Sequence, residues 1–383
     1  MRIPLAAPEI TEDDIEAVAK VLRTSRLSLG PKLEEFEHHV AAYIGARNAV
    51  AVSSGTSALH LCMRAMGVKP GDEVIVPSFA FIAVANAVRY EGGIPVFADV
   101  DPETLNIDPV QTEATISSRT VGIVVVHTFG CPADLTEILR VAKRHGLFVI
   151  EDACEAFGAE YDKRKVGIHG DVGVFGFYPN KQITTGEGGM LVTNDSRTAH
   201  FARQLRNQGR GDEGDWFEHT ELGYNYRIAE MNCALGIEQL KRIDQILAKR
   251  QSVARAYNDR LRSCRDMILP IIDLPNHKIS WFSYVVRLSA SLGREHRDWI
   301  CRELIAREIG CGRYFAPIHQ QPAYRKVTGA VPSLPVTEFA ADRALALPFF
   351  NGLSGAQIVE VCSTLLALLH QCREQGLGSR PIS

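Results

Sequence analysis

Short apolar runs alternate with helical patterns between about residues 48 and 195. The apolar runs include NAVAVSS, EVIVPS, VGIVVVHT and LFVIED, and between them lie amphipathic stretches such as SALHLCMRAMG and DLTEILRVAKRHG. This alternation predicts a mostly parallel sheet that is covered by helices on both faces. A run as uniformly apolar as GIVVVH suits a strand that is buried on both sides. The first half of the chain is therefore predicted to form an α/β domain.

The pattern changes after Asn225, where apolar residues recur at helical spacings of three and four through MNCALGIEQLKRIDQILAKRQSV. From about residue 250 onward the chain has one clear strand pattern, SWFSYVVRLS, among helical segments and a proline-rich loop. We predict a large domain over residues 1–245 and a smaller α+β domain over residues 246–383. The N-terminal segment 1–30 is expected to pack on the small domain or on a partner.

Charge and composition argue against several classes of function. The 383 residues include 42 basic and 45 acidic ones, for a formal net charge of -3, without a dense run of Lys and Arg. This balance gives no support to binding of nucleic acid or of a membrane surface. The nine cysteines are scattered, which indicates reduced thiols. Without a signal-peptide pattern or a long apolar run, the sequence predicts a soluble cytoplasmic protein.

A lysine and an aspartate are candidates for one catalytic site. Lys181 lies in GFYPNKQITTGEGGM, where a strand pattern passes into a glycine-rich loop, and Asp152 ends the strand pattern FVIED. A buried lysine amine loses its proton more easily than one in water, and it can hold an aldehyde as a Schiff base. A carboxylate at the end of a neighbouring strand can keep a pyridine nitrogen protonated. The two residues together predict pyridoxal phosphate as the cofactor.

Further candidates follow the same edge of the predicted sheet, because ligands of such sheets bind at the carboxyl ends of the strands. The segment VAVSSGTSALHLCM predicts a strand, a turn and a helix. Its turn, Ser54 to Ser57, offers amide groups and hydroxyls to a phosphate, although a plain helix cap is the alternative. Phe81 follows EVIVP, and it is either a stacking partner for a cofactor ring or an ordinary core residue.

Four residues near these motifs have open roles. Glu155 follows Asp152 by three residues, which brings both to one pocket if a helical turn starts there; a cap or a surface ion pair is the alternative. Glu187 lies in the glycine-rich loop, where structural and catalytic roles are not separable. His319 and Tyr314 lie in the proline-rich segment RYFAPIHQQPAYR, and we predict them as substrate contacts because such loops often position binding residues.

Two other motifs are rejected. GRGDEG at residues 209–214 matches the G-x-G-x-x-G dinucleotide pattern, but it lacks the preceding strand and the following apolar helix, so a charged surface loop is predicted. His38 and His39 are neighbours on a helical pattern and point in different directions, so they are not suited to bind one metal ion. We predict no metal site.

Ordered motifs extend over nearly the whole chain, through SSGTSALHL, VPSFAFIAVANAV, IEDACEAFGA, FYPNKQITTGEGGM, LGYNYRIAEMNCALGIEQL and YFAPIHQQPAY. Together they resemble the DegT/DnrJ/EryC1/StrS family of sugar aminotransferases, which has the aspartate-aminotransferase fold (fold type I). The resemblance implies that Lys181 is the Schiff-base lysine and that Asp152 is the partner of the pyridine nitrogen. It also implies transfer of an amino group from L-glutamate to a nucleotide-linked keto-deoxysugar, with the ketone at C4 or C3, by a ping-pong mechanism.

The resemblance implies the other cofactor contacts as well. Phe81 takes the ring-stacking position, Glu155 lies at a cofactor-binding position, and the phosphate-binding turn consists of Gly55, Thr56 and Ser57. Asn225, in GYNYR, matches the asparagine that reaches the cofactor phosphate of the other subunit. This match implies a homodimer with shared active sites.

Three positions depart from the common family pattern. Gly176 stands where many members have a serine beside the phosphate, Glu155 replaces a frequent Gln or His, and Val84 replaces a frequent Thr. The cofactor prediction does not depend on these positions. They do weaken any transfer of substrate specificity from a single relative.

Three alternative activities are compatible with the family resemblance. A sugar dehydratase is disfavoured, because that branch of the family replaces the lysine with histidine and this chain has Lys181. A regulatory protein that binds the cofactor without turnover is disfavoured by the intact Lys181 and Asp152. Transfer to a keto-cyclitol instead of a nucleotide sugar stays open.

Overall fold

The computed structural model describes residues 2–211, 218–328 and 332–375, so part of the predicted surface loop 209–214 lies outside the described residues. The helices are α1 Glu12–Leu22, α2 Pro31–Ile44, α3 Gly55–Ala65, α4 Ala83–Tyr90, α5 Pro109–Ala114, α6 Leu135–His145, α7 Ser196–Arg206, α8 Glu230–Lys241, α9 Ile243–Leu261, α10 Arg294–Ala306, α11 Pro322–Thr328, α12 Pro335–Arg343 and α13 Gly355–Gln375. The strands are β1 Asn48–Val52, β2 Glu73–Pro77, β3 Ile94–Ala98, β4 Thr120–Val126, β5 Phe148–Asp152, β6 Glu160–Tyr161, β7 Arg164–Lys165, β8 Val172–Gly176, β9 Gly189–Thr193, β10 Met267–Ile268, β11 His277–Lys278, β12 Tyr284–Leu288 and β13 Ala344–Leu347.

A seven-stranded sheet forms the centre of the larger part of the molecule, with the strand order β1-β9-β8-β5-β4-β2-β3. The neighbours β3, β2, β4, β5 and β8 are parallel, whereas β9 runs antiparallel to both β8 and β1. The predicted α/β class and mostly parallel sheet are therefore confirmed. All five residues of β2, of β8 and of β9 are buried, as expected for strands that are covered on both faces.

Helices cover both faces of this sheet. One core cluster contains apolar side chains of α2, α6 and α8, and the other contains those of α3, α4 and α7. The helix α6 shows why such segments are helical: Asp134 caps its first turn by accepting from the Glu137 amide, and Gly146 ends it in a left-handed conformation at φ 67°. Between these ends, Leu135, Ile138 and Val141 place apolar side chains on the face toward the sheet.

A second core lies around the three-stranded antiparallel sheet β10-β12-β13 and the helices α10 and α13. The long helix α9 connects this second core to the large sheet. Ile243 and Ile246 pack in the cluster that contains α2, α6 and α8, whereas Val253 and Tyr257 pack in the second core. The predicted domain boundary at residues 245/246 falls inside this helix. Near the N-terminus, Ile3 packs in the second core and pairs with Ile309.

None of the described helices combines the length and the apolar character that are needed to cross a membrane.

Candidate active site

A cavity of about 490 Å³ opens where the carboxyl ends of the central strands face the second core. Most of the residues proposed from the sequence contribute to its wall. The lining residues are Ser54, Gly55, Thr56, Leu59, Phe81, Ala83, Val126, Asp152, Cys154, Glu155, Gly176, Phe177, Tyr178, Asn180, Lys181, Glu187, Gly188, Phe282, Tyr314 and Phe315. The described structure thus brings Lys181, Asp152 and Phe81 to one site, as the rule for parallel sheets predicts.

Lys181 enters the cavity from the turn that follows β8. The turn is closed by a hydrogen bond from the Lys181 amide to the Tyr178 carbonyl, 2.9 Å long. The Lys181 amine lies 3.7 Å from Oε1 of Glu155 and 4.0 Å from the centre of the Phe282 ring. The lysine side chain is only 15% exposed, so its amine is held between a carboxylate and an aromatic face with little contact to water.

Asp152 is the last residue of β5, and it is buried in the cavity wall. Its Oδ1 accepts a hydrogen bond of 3.0 Å from the Cys154 amide, which orients the carboxylate. Its carbonyl accepts from the amide of His127, the residue that follows the neighbouring strand β4, at 3.1 Å. Backbone contacts on both sides therefore fix the direction in which this carboxylate faces the cavity.

The first turn of α3 forms another part of the wall, through Gly55 and Thr56. Ser54 caps the helix, because its hydroxyl accepts from the Ser57 amide at 3.0 Å. Amides in the first turn of a helix have no carbonyl partner within the helix, and this end attracts anions. A side chain at position 55 would not fit, since a Cβ there would lie 2.9 Å from the sulfur of Cys154.

Ser57 takes a different position from the other two residues of the predicted phosphate turn. It is buried, and its hydroxyl lies 2.8 Å from the Ser54 hydroxyl and 3.1 Å from the Ser53 hydroxyl. It does not belong to the cavity wall. Its hydroxyl supports the turn that Gly55 and Thr56 present, and direct contact of Ser57 with a phosphate stays a prediction.

Phe81 lies between β2 and α4, and it is 61% exposed although it borders a cavity. A large apolar side chain with this much accessible surface has unused stacking area. Ordinary core packing, the alternative from the sequence, does not describe Phe81. Its neighbour Phe79 is the core residue, fully buried against Phe129 and Phe315.

Glu155 is buried beside Lys181, and it does not form a surface ion pair. Its Oε2 accepts a hydrogen bond of 2.9 Å from the Phe129 amide. Burial raises the pKa of the Glu155 carboxyl, and the positive charge of Lys181 opposes this effect. The Gln182 amide group donates to the carbonyls of Glu155 and Ser280, which ties this side of the cavity to the second core.

Aromatic residues close the side of the cavity that faces the second core. Phe129 stacks on Phe315 with a centroid distance of 5.5 Å, and Phe282 stacks on Tyr314 at 6.2 Å. The backbones meet at Gly130, where a Cβ would lie 1.7 Å from the Ser280 carbonyl oxygen, so only glycine allows this approach. These rings limit access of water to the lysine amine.

Besides Ser57, two further predicted residues lie outside this cavity. His319 is fully buried; its Nδ1 lies 2.6 Å from the Ser78 hydroxyl and its Nε2 lies 3.3 Å from Glu338. Both ring nitrogens are engaged away from the cavity, which gives His319 a supporting role for the loop that carries Tyr314, and its contact with substrate stays a prediction. Asn225 forms a backbone bridge with Asn207, away from the cavity of its own chain.

Arg250 is a site-supporting residue that the sequence analysis missed. It lies on α9 and is 3% exposed, and its Nη2 donates to the carbonyls of Asn180 and Lys181 at 3.1 and 3.3 Å. Burial lowers the pKa of Arg250 to about 10. The sequence contained one indication that Arg250 is buried. Position 250 lies on the same face of the helix as the apolar residues Ile246 and Val253.

We expect Arg250→Met to lower the free energy of unfolding by about 1–3 kcal/mol, because two buried carbonyls around Lys181 lose their donor. Urea denaturation of the cofactor-free protein measures this change. Arg255→Met is the matched control, since Arg255 is an exposed position on the same helix. Equal stabilities of the two variants would contradict the supporting role of Arg250.

Known proteins match this chain over almost its whole length. The sequence profile of the DegT/DnrJ/EryC1/StrS aminotransferase family matches residues 8–366. The GDP-perosamine synthase of Caulobacter vibrioides is 41% identical over 95% of this chain and 97% of its own length. The spore coat polysaccharide biosynthesis protein SpsC of Bacillus subtilis is 36% identical over 94% of this chain and 95% of its own length. The crystal structure of the aminotransferase TlmJ from Streptoalloteichus hindustanus has a TM-score of 0.91 and 33% identity, and covers 97% of this chain and 100% of its own.

Proposed function

Because the chain belongs to the DegT/DnrJ/EryC1/StrS aminotransferase family, we propose that it transfers an amino group from L-glutamate to a nucleotide-linked keto-deoxysugar. The enzyme is an aminotransferase of fold type I, and pyridoxal phosphate is its cofactor. One observation carries the proposal: a largely enclosed lysine amine, a buried aspartate and the first turn of a helix meet in one cavity. The donor and the acceptor are the parts that experiment has to establish.

The cavity wall fits pyridoxal phosphate part by part. The first turn of α3, at Gly55 and Thr56, offers amides to the phosphate, and Asp152 offers a carboxylate to the pyridine nitrogen. The exposed face of Phe81 offers a stacking surface to the ring, and Lys181 offers the amine. When bound, the cofactor supplies an aldehyde that takes up the amino group and a ring that accepts the electron pair left on carbon when a proton is removed.

Lys181 is proposed to move the proton in both halves of the reaction. In the first half its amine would take a proton from Cα of the donor and deliver it to C4′ of the cofactor. In the second half it would take a proton from C4′ and deliver it to the former ketone carbon of the acceptor. The Glu155 carboxylate, 3.7 Å away, would stabilise the ammonium form that the lysine takes within each half, after it accepts the proton and before it delivers it. The surrounding rings keep water from competing for the same proton.

The acceptor is proposed to be a sugar linked to GDP in the first instance. The support is the 41% identity to a protein named GDP-perosamine synthase, over almost the full length of both chains. UDP- and dTDP-linked keto-sugars are the comparison substrates, with the ketone at C4 or at C3. A keto-cyclitol is the control acceptor, because it has a ketone but no nucleotide.

We expect L-glutamate to bleach the visible absorption band of the protein loaded with pyridoxal phosphate and to release 2-oxoglutarate. The reason is that the amino group moves to the cofactor while Lys181 carries the proton. The keto-sugars are then added, and mass spectrometry detects the amino-sugar nucleotide. A band that is indifferent to glutamate would rule out this donor, and amination of the keto-cyclitol alone would rule out the nucleotide-sugar acceptor.

We also propose a homodimer in which Asn225 contacts the phosphate in the partner's site. Asn225 lies outside the cavity of its own chain, and exposed apolar residues near the N-terminus, among them Ile15 and Leu22, offer surface for a partner. The residue's role itself comes from the family resemblance.

Complementation tests the shared site. Lys181→Ala and Asn225→Ala proteins are each expected to be impaired at low cofactor concentration. After unfolding and joint refolding, mixed dimers would contain one site with both native residues, and random pairing predicts recovery of roughly a quarter of the wild-type activity. Sedimentation confirms the dimer mass. No gain over the separate proteins, or a monomer in sedimentation, would contradict the shared site.

A further inference from the structure

A second cavity of about 320 Å³ lies beside the active site, and Phe315 belongs to the walls of both. We call it the arginine cavity, because four arginines line it: Arg294, Arg297, Arg313 and Arg325. They come from α10, from the segment before α11 and from α11 itself. Nothing in the proposed proton transfer uses these side chains.

Two aspartates in the same wall orient three of the arginines. Nε of Arg297 donates to Asp298 at 2.7 Å, and Nη1 of Arg297 donates to the Ala341 carbonyl. Nε of Arg313 lies 3.3 Å from Asp298. In the same way, Nε of Arg294 donates to Asp342 at 2.7 Å. Four arginines and two aspartates leave the arginine cavity with a formal charge of +2.

The active-site cavity has the opposite sign. Its charged lining residues are one base, Lys181, and three acids, Asp152, Glu155 and Glu187, which gives a formal charge of -2 if all are ionised. Burial raises the pKa of the Glu155 carboxyl, but the two remaining acids still outnumber the base. Lys181 is the one positively charged side chain among the described residues of this wall, and the first turn of α3 is already assigned to the cofactor phosphate. The two negative charges of a linked diphosphate therefore have no matching group left in this cavity, whereas a neutral sugar needs none.

We propose that the arginine cavity binds the diphosphate of the nucleotide-linked acceptor while the keto-sugar extends past Phe315 toward Lys181. This inference rests on the proposed function. The guanidinium group matches the phosphate group in charge and in the spacing of its donors. Consecutive residues connect the two cavities, since Arg313 lines the arginine cavity, Tyr314 the active site and Phe315 both.

The test uses binding of guanosine diphosphate to the cofactor-loaded protein, measured by calorimetry, with uridine and thymidine diphosphates in parallel. Arg313→Ala and Arg325→Ala are expected to weaken binding of the preferred nucleotide by roughly 10- to 100-fold each, the range for a lost charged hydrogen bond. Both residues are exposed, so the fold should tolerate the changes. Arg302→Ala, an exposed position on α10 outside the cavity wall, should bind as the wild type does.

The glutamate half-reaction separates the two proposals, because it does not involve the diphosphate. It should proceed in both arginine variants at the wild-type rate, while KM for the keto-sugar nucleotide rises. If a nucleoside diphosphate bound the wild type and both variants equally, the proposal that the arginine cavity binds the diphosphate would be wrong. The proposed function would remain intact. If the wild-type protein reacted with glutamate but bound none of the three nucleotides, two proposals would be wrong: diphosphate binding in the arginine cavity and a nucleotide-linked acceptor.

Discussion

Replacing Lys181 by alanine is expected to lower kcat by on the order of 10⁴-fold or more, because the variant loses its proton carrier. The buried environment leaves little water that could substitute, since the lysine side chain is 15% exposed between Glu155 and Phe282. The other cavity residues remain, so the cofactor should still bind. Stopped-flow absorbance after addition of L-glutamate measures the loss directly.

Chemical rescue distinguishes a lost amine from a damaged fold in this variant. Methylamine should restore part of the rate to Lys181→Ala, because a small free amine can enter the space that the side chain leaves. Lys143→Ala is the control, since Lys143 is an exposed residue in the last turn of α6. Unchanged turnover in Lys181→Ala would refute the assignment of the catalytic lysine.

Replacing Asp152 by asparagine is expected to lower kcat by roughly 10²- to 10⁴-fold with little change in structure. The substitution preserves shape but removes the charge that would pair with the protonated pyridine nitrogen. Breaking a buried ion pair costs about 3–5 kcal/mol, and the same energy added to a barrier gives this factor. The hydrogen bond from the Cys154 amide to Oδ1 can persist with the asparagine oxygen, so the side chain should keep its direction.

The rate of the half-reaction with L-glutamate and the absorption spectrum of the bound cofactor measure the effect of Asp152→Asn. A shift in the pH dependence of that spectrum is expected, because the ring nitrogen loses the group that keeps it protonated. Asp195→Asn serves as the control, since Asp195 caps α7 at the surface. A wild-type rate in Asp152→Asn would mean that another group holds the ring nitrogen.

Two of the departures from the common family pattern, Glu155 and Gly176, lie in the wall of the active-site cavity. Glu155, in place of a neutral Gln, adds negative charge beside Lys181, so the active-site cavity is poorly suited to a phosphate group of the acceptor. At Gly176 a side chain would be tightly packed, because a Cβ there would lie 3.3 Å from the sulfur of Cys154. Under the two proposals the anion sites are separate: the first turn of α3 for the cofactor and the arginine cavity for the acceptor.

Local patterns in the sequence were sufficient for the α/β class, the mostly parallel sheet and the convergence of Lys181, Asp152 and Phe81. Each of these depends on neighbouring residues, because strand and helix periods are local and parallel strands end at one edge. Whether a side chain is free to bind is not a local property. His319 and Ser57 resembled site residues in the sequence, yet partners on other segments or in the preceding turn occupy their polar groups.

Local patterns along the chain were therefore enough to predict the fold class and the edge of the sheet at which Lys181, Asp152 and Phe81 meet. Only the tertiary structure decided that Arg250 supports a loop 69 residues away along the chain, and that four arginines collect beside Phe315. A charged residue on a helix has the same local pattern whether it faces water or a buried carbonyl. The difference arises from packing between distant segments, which removes water and brings the partner groups together.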